Sequence, residues 1–284
     1  MNEADPLYST YIVNCVFNAF SAYTAIMLNI LTIHAMRKTS SLPKPLKTLL
    51  LSLAVSDLGV GLLVQPSYIA VMVSPTYYTH TALNTLAPLF ASASFFSVVA
   101  ISVDRFLAVH LHLRYQALVT HKCVVTVIIS IWVFSAFLTS IGFWIPLDGI
   151  LLADLITQSV CYIITGIIYC RIYFTVRRHS AHIHVQQMQV AQNCQMESAA
   201  WQRKSAVNTL YVYLVFLVCC LPDFWALFAR LICPQSSALN GLLFYSLTLF
   251  FLNSSLNPVI YCWKMRHIRH AIINTLRNIF LRQS

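Results

Sequence analysis

Asp104 and Arg105 stand side by side at the end of the long apolar run 95–109, and their types and position ask for a chemical reason. Two opposite charges at the edge of a bilayer are costly unless they pair or serve a function. A carboxylate beside a guanidinium can hold it and later release it, and arginine keeps its charge wherever it moves. A second set of polar residues lies deeper in apolar sequence: Asn29, Asp57, Ser94, Asn253, Ser254 and Asn257. Asp57 is the only acid at that depth, so it must be protonated or paired. Asn253 and Asn257 are four residues apart and share a helix face. Hydroxyls and amides around one carboxylate can form a hydrated cage for Na⁺ or for a transferable proton. They can also be a structural knot that ties helices together.

Other chemistry is missing. Glu3 and Glu197, the only glutamates, fall outside the apolar stretches. There is no His-Glu-x-x-His and no Gly-x-Ser-x-Gly, and the histidines lack metal-ligand spacing. Enzyme activity is therefore not expected, nor any cofactor beyond the candidate sodium ion held by Asp57, Ser94, Asn253, Ser254 and Asn257.

The elements that position these groups are helices in lipid. The 284 residues are 58% hydrophobic and only 9% charged, against roughly a quarter charged in a soluble domain. A spanning helix needs about 20 apolar residues. Seven stretches qualify, at 10–35, 47–72, 81–111, 122–146, 150–176, 206–231 and 239–262, and are numbered spans 1 to 7. The expected fold is an all-α membrane bundle over 1–262, followed by an amphipathic juxtamembrane helix over 263–284. In that tail Met265, Ile268, Ile272, Leu276 and Phe280 recur at three- and four-residue steps with basic residues between them. The first nine residues are polar and lack a basic n-region, so no cleavable signal is expected.

The net charge of +10 has a pattern. Arg37, Lys38, Lys44 and Lys47 lie between spans 1 and 2, and Arg114 and Lys122 between spans 3 and 4. Arg177, Arg178, Arg203 and Lys204 flank the gap between spans 5 and 6, and Lys264, Arg266, Arg269, Arg277 and Arg282 follow span 7. The other side holds Arg230 with Glu3, Asp5, Asp148 and Asp154. The positive-inside rule then puts the N-terminus outside and the C-terminus in the cytoplasm. The basic surplus orients the chain and attracts anionic lipid; it does not indicate nucleic acid. The nine cysteines fall mainly within spans and read as small buried hydrophobes. Connections are short, with only 146–149 between spans 4 and 5, while 179–202 reads as flexible or frayed helix. No internal repeat is visible, which weighs against a transporter.

In order along the chain stand Asn29, then Leu53-Ala54-Val55-Ser56-Asp57, then Asp104-Arg105-Phe106. Trp132, Tyr169, Phe216, Pro222 and Asn257-Pro258-Val259-Ile260-Tyr261 follow. Across essentially its whole length the chain resembles the rhodopsin-like (class A) G-protein-coupled receptors. That resemblance implies a plasma-membrane receptor, with a heterotrimeric G protein as partner and arrestin and a receptor kinase as further ones. It implies that Asp104 pins Arg105 at rest, and that on activation Arg105 swings toward Tyr169 and the G protein. Pro222 would let span 6 pivot, Pro258 would let Tyr261 turn inward, and Phe95, Phe216 and Cys220 would sit at the switch. Leu113, Arg203 and Lys204 would join Arg105 at the G-protein contact.

The departures also carry expectations. Phe106 replaces a tyrosine, and Cys220 stands where a tryptophan is usual. Gln202 stands where many members carry a glutamate that bridges to the span 3 arginine, so elevated ligand-free signalling is expected. His80 occupies the place of the span 3 cysteine, so the usual outer disulfide is expected to be absent. Cys161 replaces the span 5 proline. With the short second outer loop, these features resemble the melanocortin, lipid and cannabinoid side of the family.

Ala87 stands where amine receptors carry an aspartate, and Phe251 where opsins carry a Schiff-base lysine. Pocket residues by register are Tyr68, Asn84, Ala87, Asp154, Thr157, Asp223, Phe224, Leu227, Leu247 and Phe251, with Ser67 and Pro88 beside them. Asp223 and Asp154 could receive a cationic ligand or peptide. An apolar ligand arriving through lipid fits the missing loop lid equally well. The alternatives are a constitutively active or decoy receptor without a conventional agonist and, further off, a channel or transporter.

Overall fold

The computed structural model describes residues 6–39, 42–111, 114–186, 193–233 and 237–283. Seven of its helices are long and apolar enough to cross a membrane. Span 1 is α1 (Pro6–Lys38), and span 2 is α2 (Lys44–Gly59) and α3 (Gln65–Val73), joined by one π-helical turn (Val60–Val64). Span 3 is α4 (Tyr77–Leu111), followed by the short α5 (Tyr115–Leu118); span 4 is α6 (His121–Ile141). Spans 5, 6 and 7 are α7 (Leu147–Gln186), α8 (Asn193–Ile232) and α9 (Ser237–Lys264), and α10 (Arg266–Gln283) closes the chain.

Local sequence explains the ends. A helix leaves its last carbonyls without partners, and at the end of span 1 Lys47 Nζ donates to the Thr39 carbonyl at 2.8 Å. Thr76 and Thr79 cap the start of span 3 reciprocally, each backbone N–H donating to the other's hydroxyl at 2.9 and 3.2 Å. Thr120 accepts from the Cys123 N–H at the start of span 4. The π turn in span 2 precedes Pro66, which has no N–H and crowds the turn before it. There the Gln65 N–H reaches back to the Val60 carbonyl, which widens the helix at that point.

Several expected boundaries move. Span 4 stops at Ile141, so the link to span 5 is 142–146 and Leu147, Asp148 and Gly149 are helical. Pro146 just before the helix and Asp148 in its first turn suit a helix start. The segment read as flexible or frayed is helical as far as Gln186 and again from Asn193. The break before the tail falls at Met265, beyond the expected boundary at 262. In α10, Ile268 and Ile272 are buried, as is Met265 at the break, whereas the side chains of Leu276 and Phe280 lie outside the described ones.

Span 3 runs through the middle of the bundle and touches spans 2, 4, 5 and 6, while span 7 packs between spans 1 and 6. The tail helix α10 folds back onto span 1. Two glycines allow close approach. A Cβ on Gly59 would sit 2.2 Å from the Phe90 ring, and one on Gly61 would sit 3.1 Å from the Ala22 carbonyl.

Candidate functional site

The middle of the bundle brings the deep polar residues together. Ser94 Oγ donates to Asp57 Oδ1 at 3.0 Å and Asn257 Nδ2 to Oδ2 at 2.8 Å. Ser254 stands beside the same carboxylate, and Asp57 is fully buried. Asn29 donates to the Ser254 carbonyl at 3.0 Å, tying span 1 to span 7 at this level. Several buried oxygens here have no hydrogen-bond partner: Oδ1 of Asn29, Asn253 and Asn257, and the hydroxyls of Ser97 and Tyr261. Oxygen donors around one carboxylate, with free lone pairs nearby, suit a hard monovalent cation or ordered water. Among the described residues no group of three His, Cys, Asp or Glu side chains could hold a metal.

At the basic end of the bundle Asp104 and Arg105 form an ion pair. Arg105 Nε donates to Asp104 Oδ2 at 2.9 Å, and Nη2 donates to the same oxygen. The pair is buried, and a buried pair is costly to break because one charge is then left uncompensated. Tyr115, on the short helix after span 3, completes it. Its hydroxyl donates to Asp104 Oδ1 at 2.6 Å and accepts from Arg105 Nη2 at 3.4 Å. Burial, and then the neighbouring carboxylate, pushes the Tyr115 phenol well above its ordinary range. Tyr169 stands one layer deeper, donating to the Thr209 carbonyl at 3.2 Å and accepting from Ser102 at 3.1 Å. Its ring stacks on Tyr213 with centroids 4.7 Å apart. Tyr261 is fully buried on span 7. Leu113 lies outside the described residues, as do the side chains of Gln202, Arg203 and Lys204.

Next to Ser94 in the chain, Phe95 meets Phe216 at 5.2 Å, and Tyr162 packs on Phe95 at 5.7 Å and on Phe224 at 5.8 Å. Cys220 is fully buried beside this aromatic group, and the helix runs unbroken through Pro222 and through Pro258. The residues assigned to the pocket fall into two groups. Tyr68, Ala87, Leu247 and Phe251 pack together, and the Tyr68 hydroxyl donates to the Phe244 carbonyl at 2.9 Å. Asp223 is buried and accepts from Ser246 at 3.3 Å, with Asp154 within electrostatic reach and Phe224 adjacent. Asn84, Thr157 and Leu227 belong to neither group, and Asn84 is exposed.

Tyr115, Ser102, Tyr162 and Tyr213 are the residues that pattern reading missed. The Tyr213 hydroxyl accepts from Thr165 at 2.9 Å, and Thr165 lies one turn from Tyr169. That shared face was visible in the sequence, but nothing local shows that Tyr115 turns back to Asp104. A further polar group also went unnoticed. Asn18 Nδ2 donates to Asn14 Oδ1 at 2.6 Å and to Thr248 at 2.9 Å, and Gln65 donates to Asn18 at 3.4 Å.

Seven long apolar helices around a polar core, with a buried ion pair at one mouth, define a multi-pass membrane protein built like a receptor. The family of 7-transmembrane receptors (rhodopsin family) matches residues 28–164 and 146–261, and the chain belongs to it. The octopamine receptor beta-1R of Drosophila melanogaster is 24% identical over 94% of this chain, which spans 62% of that receptor. The adenosine receptor A2a of Homo sapiens is 26% identical over 92% of the chain and 71% of its own length. The adenosine receptor A3 of Ovis aries is 24% identical over 89% and 86%. The likeness to melanocortin, lipid and cannabinoid receptors therefore rests on the short link between spans 4 and 5, on Cys161 in place of the span 5 proline, and on the absence of a disulfide among the described residues.

Proposed function

We propose that this chain is a plasma-membrane receptor that carries ligand binding at its outer end to a heterotrimeric G protein at its basic, cytoplasmic end. The ion pair at the basic mouth carries the reading: Arg105 is held by Asp104 and Tyr115 where a docking partner would have to meet it. The mechanism is a shift of population. Ligand favours a state in which span 6 pivots at Pro222, opening a cleft lined by Arg105, Tyr169 and Tyr261. The aromatic path from Phe224 through Tyr162 to Phe95 and Phe216 is continuous by contact and supports coupling between the two ends. Na⁺ at Asp57, Ser94, Asn253, Ser254 and Asn257 would favour the closed state.

For the ligand, Asp223 and Asp154 favour a cationic group, as an amine carries, although Ala87 removes the acid that amine receptors use on span 3. Neutral ligands meet the apolar group around Tyr68 and Phe251. Gln202 and Cys220 support a second reading, a receptor active without a conventional agonist. The deciding experiment is nucleotide exchange by purified G protein with the chain in lipid nanodiscs, screened against amine, nucleoside and lipid libraries. Stimulated exchange by any member supports the first reading; high exchange that no ligand alters supports the second. No exchange under any condition refutes both.

A further inference from the structure

Lys264 ends span 7 with its ammonium between two aromatic faces. Nζ lies 3.7 Å from the ring centre of Trp263 and 3.8 Å from that of Tyr211 on span 6. One turn away on span 6, Asn208 Nδ2 donates to the Lys264 carbonyl at 2.9 Å. That carbonyl is among the last four of its helix, which have no partner within the helix. Asn208 and Tyr211 are three apart and share a face, so one face of span 6 holds both the charge and the backbone end of the same residue. Tyr211 and Trp263 are 38% and 66% exposed, which puts the ring pair at the rim of the bundle, where an ammonium keeps part of its hydration.

We propose that Lys264, Tyr211 and Asn208 form a latch that holds the cytoplasmic end of span 6 against span 7 in the closed state. The proposal rests on the receptor reading above. Trp263 and Lys264 share a helix and stay together when span 6 moves, whereas Tyr211 and Asn208 leave. Opening therefore costs the ammonium one of its two aromatic faces and leaves a helix-end carbonyl unpaired. A contact made in only one of two states sets their ratio.

Lys264→Gln removes the cation, Tyr211→Leu removes the departing face, and Lys264→Arg keeps the charge and can stack on the same rings. Two readouts are needed: the distance between spin labels carried by unnatural amino acids at the exposed positions Leu214 and Val259, and ligand-free nucleotide exchange by G protein. The expected result is a broadened, longer distance and exchange raised about threefold to tenfold in Lys264→Gln and Tyr211→Leu. Lys264→Arg should restore both. An unchanged distance distribution in Lys264→Gln overturns the latch, as does an arginine variant that behaves like glutamine. Broadened distances without exchange under any condition support the latch and overturn the receptor reading on which it was placed.

Discussion

Tyr115→Phe removes a single hydroxyl from the ion pair at the basic mouth. That hydroxyl donates to Asp104 Oδ1 at 2.6 Å in a site that is 4% exposed, and its contact with Arg105, at 3.4 Å, is too long to add much. A hydrogen bond to a charged group contributes about 1.5–3 kcal/mol. If the bond exists only while Arg105 is held, its loss lowers the ratio of closed to open states by roughly tenfold to a hundredfold. Water entering to replace the phenol moves the result toward the lower end. The assay is ligand-free nucleotide exchange with matched amounts of unmodified and variant protein in nanodiscs, with the melting temperature alongside. Exchange should rise and the melting temperature fall. Because Tyr115 acts through Asp104, the substitution should add little in an Asp104→Asn background. Unchanged exchange, or an effect that adds in full to Asp104→Asn, would refute the reasoning.

Asp57→Asn should abolish any dependence of ligand-free exchange on NaCl at constant ionic strength; a preserved dependence removes Asp57 from a sodium site. Gly59→Ala drives a Cβ into the Phe90 ring and should destabilise the bundle by about 1–3 kcal/mol in thermal unfolding. Phe90→Leu should recover part of that loss, and an equally unstable double variant would show that the clash is not the cause. Gln202→Glu should lower ligand-free exchange by offering Arg105 a second carboxylate, so an unchanged or higher rate counts against a missing span 6 restraint. Asp223→Asn should weaken cationic agonists while sparing neutral ones, and equal potency of both would dismiss the acidic pocket.

The spans were legible because lipid imposes a coarse rule, about 20 apolar residues per crossing, which survives ignorance of every contact. Their ends were less so. Span 4 stops at Ile141 although Phe143, Trp144 and Ile145 are as apolar as the helix before them. Hydropathy does not register a turn that starts at Gly142 and runs into Pro146. The π turn at Val60–Val64 was hidden for a related reason, since Pro66 signals strain but not how the backbone relieves it. The grouping of Asp57, Ser94 and Asn257 was foreseeable from their common depth, because in an apolar medium isolated polar groups must seek one another. Tyr115 and Tyr162 were not foreseeable, since a tyrosine in a loop or at a span face carries no mark of what it will touch.

Composition, charge asymmetry and the order of a few polar residues were enough to determine a seven-helix membrane bundle of this family, for these depend on solvent and spacing alone. Which groups meet was decided only by tertiary packing. The return of Tyr115 to Asp104, the Tyr162 bridge between Phe95 and Phe224, and the seating of Lys264 between Tyr211 and Trp263 all join residues from different helices or from a helix and its loop. The physical reason is directional: a hydrogen bond or a cation over a ring is won or lost within about an ångström. Helix rotation and depth set positions on that scale, and no periodicity in the chain encodes them.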